Sequence, residues 1–245
     1  MTDANCPVTF QSFVTTFTDF LTVAIHTILY ERSVYPQTSF LSARKYNYAV
    51  RQNRHPKVCR WIQDAVTAVE AEILKGTVER VAVVIYSKDN KPLERFMFDL
   101  SNFPVVPLGE QATPLERIDE QGGMVPILPI VDLEEQFRAT MSRLTNCGSS
   151  LAPIAEGCTF TLALECRDEG EPPIAHAQPW IPVQPQLQKT VLTSNEGRDV
   201  IRGADVGGVR TTPLRSVAAG DMVFEMWIEE GKSKFEQALS SEGSG

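Results

Sequence analysis

The chain has 245 residues, 42% of them apolar and 22% charged, which is enough to bury a sizeable core and argues against wholesale disorder. Its 31 acidic and 23 basic side chains leave a net charge of -8. A duplex-binding protein needs clustered positive charge to displace counterions, so this balance argues against nucleic acid as the main direct partner.

The first helix is expected over residues 8–34. Phe10, Phe13, Val14, Phe17, Phe20, Leu21, Ala24, Ile25 and Ile28 recur at i, i+3, i+4 and i+7, one apolar stripe of an amphipathic helix. Ser12, Thr15, Thr16, Asp19, Thr22 and His26 form the opposite, solvated stripe. Tyr35-Pro36 ends the helix, because the residue before proline disfavours the α region. Residues 37–54 read as a loop with extended pieces. His55-Pro56 opens a second helix with proline in its first turn. Its apolar face is Val58, Trp61, Ile62, Ala65, Val66, Val69 and Ile73, and Gly76 stops it.

Arg80 to Ser87 (RVAVVIYS) is a strand buried on both faces. Leu93 to Leu100 (LERFMFDL) alternates, with Phe96, Phe98 and Leu100 opposite Arg95, Met97 and Asp99. The intervening Lys88 to Pro92 is turn chemistry, so the two strands form an antiparallel hairpin. Residues 101–129 form a surface excursion. Asp132 and Glu135 then make a capping box for a third helix with Leu133, Phe137, Met141 and Leu144 on its core face. Cys158 to Cys166 is a further strand, 167–220 is irregular, and Met222 to Ile228 is the last strand. Helices and strands that do not alternate βα indicate an α+β domain.

The sequence lacks the usual marks of an enzyme. It has no GxSxG elbow and no GxxxxGK[ST] loop. GADVGG, at 203–208, neither follows a strand nor opens a helix. The five cysteines include no CxxC, and the three histidines show neither HExxH nor HxH spacing, so no zinc site, other metal or cofactor is expected. Those thiols suit a reducing cytosolic or nuclear compartment. There is no basic start followed by an apolar run, and no stretch of 18 uninterrupted apolar residues, so neither a signal peptide nor a membrane partner is expected. Glu134-Glu135 and Glu229-Glu230 read as solvated carboxylates. Arg51, Arg54, Lys57 and Arg60 form a basic group without interleaved aromatics.

Several segments are familiar in order and type: ILYERSVYP (28–36), RKYN (44–47), HP (55–56), WIQD (61–64), VAVVIYSKDNKPLERFMFDL (81–100), EGCTFTLAL (156–164), PWI (179–181) and PLRS (213–216). The set resembles the HORMA-domain family and, within it, the accessory subunits of translesion DNA polymerase zeta. The resemblance implies a HORMA-like α+β fold, with three helices packed on an antiparallel sheet and a C-terminal safety-belt segment. It implies one domain at 8–230, with a core at 8–167 and a belt at 168–230, followed by a disordered tail at 231–245. The function implied is that of a non-catalytic adaptor in the nucleus. Trp61, Trp180 and Tyr46 would bind a proline-containing peptide of the polymerase zeta catalytic subunit. Glu225 and Trp227 would dock a Y-family scaffold polymerase, and Arg138 would serve HORMA–HORMA pairing. A HORMA adaptor of spindle-checkpoint or meiotic signalling is the alternative. In the family the trapped peptide adds a strand to a sheet edge.

Overall fold

The structure, a computed structural model, describes residues 8–125, 127–167 and 208–235. In chain order the elements are α1 (Phe10–Glu31), β1 (Phe40–Lys45), β2 (Tyr48–Asn53), α2 (Pro56–Leu74), β3 (Val78–Tyr86) and β4 (Pro92–Asp99). There follow β5 (Arg117–Ile118), β6 (Met124–Val125), α3 (Ile130–Asn146), β7 (Thr159–Cys166), β8 (Gly208–Ala219) and β9 (Met222–Gly231). The three helices cover one face of a five-stranded antiparallel sheet ordered β7-β3-β4-β9-β8. The expected α+β architecture, three helices packed on an antiparallel sheet, is therefore observed.

α1 is the central core helix. Thr9 caps it in a reciprocal box with Ser12: the Ser12 N–H donates to Thr9 Oγ1 at 3.1 Å, and the Thr9 N–H donates to Ser12 Oγ at 2.9 Å. Phe17 and Phe20 meet Phe98 of β4 and Phe224 of β9 at ring separations of 5.3 to 6.5 Å, within the range of favourable edge-on contacts. Burial reaches beyond the apolar stripe to Thr18, Thr27 and His26. Thr18 and Thr27 satisfy their hydroxyls on carbonyls of the preceding turn.

His26 corrects the expectation of a solvated residue: it is 6% exposed. Its Nδ1 accepts the Asn53 N–H at 3.2 Å, and burial lowers its pKa to about 4. At its C-terminal end, around His26, the α1 stripe that looked polar in sequence is covered by the β1–β2 ribbon, whereas Ser12, Thr15 and Asp19 stay exposed. That ribbon is joined by a two-residue turn, Tyr46-Asn47, with φ of 52° and 53°. Left-handed conformation at both positions is the hairpin turn whose twist matches the strands.

The expected β3–β4 hairpin forms, with Val81↔Phe98 and Val83↔Phe96 facing the helices. On the outer face run cross-strand rows. Arg80 bridges Asp99 and Glu165 at 2.9 Å each. Ala82, Met97 and Trp227 line up in the next row, and Arg95 pairs with Glu229 at 2.5 Å in the third.

Three further expectations are corrected. α3 starts at Ile130 behind Pro129 with no side-chain cap, so Asp132 lies inside the first turn and the predicted box is absent; Glu135 pairs with Arg138 instead. The stretch read as irregular contains β8, a 12-residue strand. Order also continues past residue 231: Lys234 is buried, so residues 231–235 are not a loose tail, and 236–245 lie outside the described residues.

A histidine held neutral by burial binds its proton in the unfolded chain first. Its contribution is therefore complete above about pH 6.5 and is lost as pH falls from there towards about 4, by on the order of 3 kcal/mol in total. Denaturant melts from pH 7.5 to 4.5 are expected to show a smaller decline in stability for His26→Asn, whose side-chain oxygen can accept the Asn53 bond, than for the parent protein.

Candidate peptide-binding edge

A five-stranded open sheet has two edges, and they are built differently. β8 carries Pro213, which donates no N–H, and its register against β9 shifts at Gly208/Arg210 and at Pro213/Arg215. Proline and bulges are the usual means of blunting an edge. β7, TFTLALEC, has no proline, and its pairing with β3 is continuous from Arg80↔Glu165 to Tyr86↔Thr159. Among the described residues no strand pairs with its outer side. That side offers alternating N–H and C=O groups to an added strand.

The N-terminal end of β7 opens onto a cleft of about 300 Å³ lined by Tyr35, His55, Lys57, Val58, Trp61 and Phe160. The Trp61 and Phe160 rings meet edge-on at 4.8 Å, and Tyr35 stands edge-on to Phe160 at 6.3 Å. α2 sets this up through its period. Ile62, Val66, Val69 and Ile73 point into the core, and Trp61 falls at the rim of that stripe, 42% exposed. A large aromatic left half in water beside an unpaired strand end is a site that gains by being covered. The lining is aromatic and cationic, without a carboxylate. Among the described residues no cluster of His, Cys, Asp and Glu could hold a metal ion. Burial pushes the Cys147 thiol up to about 12, so it stays protonated and inert.

The predicted site residues separate. Trp61 lines the cleft. Tyr46 does not: its ring lies between Phe20 and Phe137 in the core, 5.0 Å from Phe137, and its buried hydroxyl has no partner among the described residues. Trp180 lies outside the described residues. Glu225 and Trp227 come together on the outer face of β9, with the Trp227 indole donating to Glu229 at 2.9 Å. Arg138 is partly exposed on α3 and pairs with Glu135 at 3.0 Å. The sequence reading missed Tyr35, Lys57 and Phe160 as lining residues; the spacing of Lys57 and Trp61, one helical turn apart, was the available signal.

The C-terminal strands sit at the opposite edge from β7, and a buried group of charges fixes them there. Arg32, at the end of α1, grips Glu94 of β4 with two bonds of 2.8 and 2.6 Å and donates to Ala152 O at 2.7 Å. Lys234 bridges Glu94 and Glu230 at 2.5 Å each. Glu230 also accepts the Ala152 N–H at 3.3 Å. All four side chains are buried. This corrects the reading of Glu229-Glu230 as solvated: Glu229 pairs with Arg95, and Glu230 belongs to the quartet. Two cations and two carboxylates balance, so no net charge is buried.

The comparisons with known proteins bear on the whole arrangement. The HORMA domain model matches residues 14–173. The chain belongs to the HORMA-domain family. It is 34% identical over 218 residues to the DNA polymerase zeta processivity subunit of Schizosaccharomyces pombe, covering 87% of this chain and 91% of that one. It is 28% identical over 221 residues to the mitotic spindle assembly checkpoint protein MAD2B of Bos taurus, covering 88% and 90%. Two solved HORMA folds superpose on it. One is a chain of the mitotic checkpoint complex (TM-score 0.64, 16% identity, 93% of this chain and 98% of that one). The other is Caenorhabditis elegans HTP-1 bound to the HIM-3 closure motif (TM-score 0.56, 13% identity, 93% of each).

Breaking a buried charge group by removing one partner typically costs about 3–5 kcal/mol, because the rest is left uncompensated. Glu94→Ala strands both Arg32 and Lys234. It is expected to lower unfolding free energy by that order in a urea titration, whereas Arg138→Ala, at an exposed pair, is expected to change it by less than about 1 kcal/mol.

Proposed function

We propose that this HORMA protein is a non-catalytic adaptor that traps a proline-containing peptide of a translesion DNA polymerase catalytic subunit, that of polymerase zeta, in the nucleus. The observation that carries this reading is the pairing-competent β7 edge ending at the Trp61 cleft, with the C-terminal strands seated at the far edge of the sheet. The incoming segment adds a strand to β7, and its backbone makes the ladder bonds whatever its side chains are. A proline ring then packs on the exposed part of the Trp61 ring, beside its edge-on contact with Phe160, and Trp180 is a further contact for the peptide. The name of the fission yeast relative supports the polymerase assignment, and a closure motif bound to a protein of the same fold supports peptide capture. Glu225 and Trp227 form a second surface, for a Y-family scaffold polymerase, on the outer face of β9. Arg138 serves pairing with another HORMA domain.

A second reading, an adaptor of checkpoint or meiotic signalling, is favoured by the name of the bovine relative.

Overlapping peptides tiled across the polymerase zeta catalytic subunit of the same organism decide between them. Capture of a proline-containing peptide is expected, and Trp61→Ala and Trp180→Ala are each expected to weaken it by about 30-fold, the effect of losing an aromatic anchor worth roughly 2 kcal/mol. The loss should reside mainly in faster dissociation. Truncation after residue 170 would remove Phe224, Met226 and Ile228 from the core, so point variants are the appropriate probes. If no tile binds while a checkpoint or meiotic partner peptide does, the second reading replaces the first.

A further inference from the structure

Residues 32–63 contain seven Lys and Arg side chains and no Asp or Glu. This stretch carries +7 in a chain of net -8, so the rest of the chain carries -15. Arg32 is spent in the buried quartet. The other six lie on the β1–β2 ribbon and the first turns of α2, all at exposed positions. One of them, Lys57, lines the aromatic cleft, and Arg54 and Arg60 directly precede the lining residues His55 and Trp61 in the chain. Lys57 lies one turn before Trp61 on the same helix, and Arg60 follows Lys57 by three residues, on a neighbouring line of the helix surface. Arg54 stands just ahead of the helix, its guanidinium donating to Thr38 O at 2.9 Å. Among the described residues none of the three lies within 4.0 Å of a carboxylate. The next acid along the chain, Asp64, is exposed on α2 and forms no ion pair with Arg60.

We propose that the trapped peptide carries anionic side chains immediately beyond its strand, on the side that leaves β7 at Thr159, and that Arg54, Lys57 and Arg60 hold them. The proposal rests on the peptide-capture reading above and adds the chemistry of the partner. A strand laid along β7 runs out at Thr159–Phe160, where the first turn of α2 and its cations stand. Carboxylates of Asp or Glu and phosphorylated Ser or Thr share the needed charge. Nucleic acid is the less suitable occupant. Single strands bind along several stacked aromatics, whereas here Trp61 is the exposed ring and Phe160 is buried. A polyanion longer than the patch would also meet the -15 of the remainder, while a short flank stays within roughly one Debye length of the cations.

The test uses the full chain and the tiled peptide that it captures best. That peptide is made in four forms, with its flank beyond the strand all Gln/Ser, all Asp/Glu, phosphorylated at Ser, or left native. A 30-nucleotide single-stranded DNA and the corresponding duplex are titrated alongside. Acidic and phosphorylated flanks are expected to bind about tenfold tighter than the Gln/Ser flank at 50 mM salt, with the advantage shrinking at 500 mM. The variant Arg54→Glu/Arg60→Glu, which leaves the cleft-lining Lys57 in place, should remove most of that advantage while still binding the Gln/Ser form, with its melting temperature near the parent's. The relative strength of the Asp/Glu and phosphoserine forms separates the two sources of charge. Equal binding of all flanks by parent and variant overturns the proposal and leaves peptide capture standing. Binding of DNA that the variant loses, with flank-independent peptide binding, overturns it in favour of nucleic acid. Capture of no peptide in any form overturns both readings together.

Discussion

Four buried charges set the arrangement on which the rest of this molecule depends. Arg32, Glu94, Glu230 and Lys234 come from the end of α1, the start of β4, the end of β9 and the turn beyond it. Dehydrating such a group contributes little net stability. What it supplies is selectivity among packings. A one-residue slip of β9 against β4 would turn Glu230 to the outer face and leave Lys234 buried without its full complement. The quartet therefore fixes β9 against β4 in one register, and through β9 it places β8 at the far edge.

That placement decides which edge is left for a partner. β8 carries a proline and two register shifts, and Arg215 reaches α3 to bond Gln136 at 2.7 Å. β7 has no proline, and the one register shift in its ladder lies at its C-terminal end, opposite Val78/Arg80 of β3. The asymmetry leaves β7 as the edge better suited to pair with an added strand, and the Trp61 cleft lies at the end of that side. The outer face is a different kind of surface. Its rows of paired charges and the Trp227 strip are already satisfied within the sheet, so a partner there would meet side chains and not backbone.

Much of this was legible in the residues. The 3.6-residue stripe of α1 and the alternation of β4 identify core faces because burial is decided there by period alone. The same logic failed for His26, since the β1–β2 ribbon covers that end of a stripe that is otherwise solvated. β8 escaped notice because an edge strand tolerates the proline and polar alternation that normally argue against a strand. Glu229-Glu230 read as solvated because the partners of a buried carboxylate are set by tertiary contact; Lys234, four residues after Glu230, was the one local hint. Tyr46 lies in the familiar RKYN motif, yet its position in a left-handed turn sends its ring into the core. The cleft was half legible: Trp61 was found, but Phe160 stands about a hundred residues away and joins it only through the fold.

The proposed capture depends on β7 as the edge that receives the partner. Amide hydrogen exchange of the full chain, with and without its captured peptide, measures this strand by strand. The account predicts that about every second amide of Thr159–Cys166, those turned away from β3, gains strong protection on capture, while amides of β8 stay as they were. Protection appearing along β8, or capture without any new protection along β7, would contradict it.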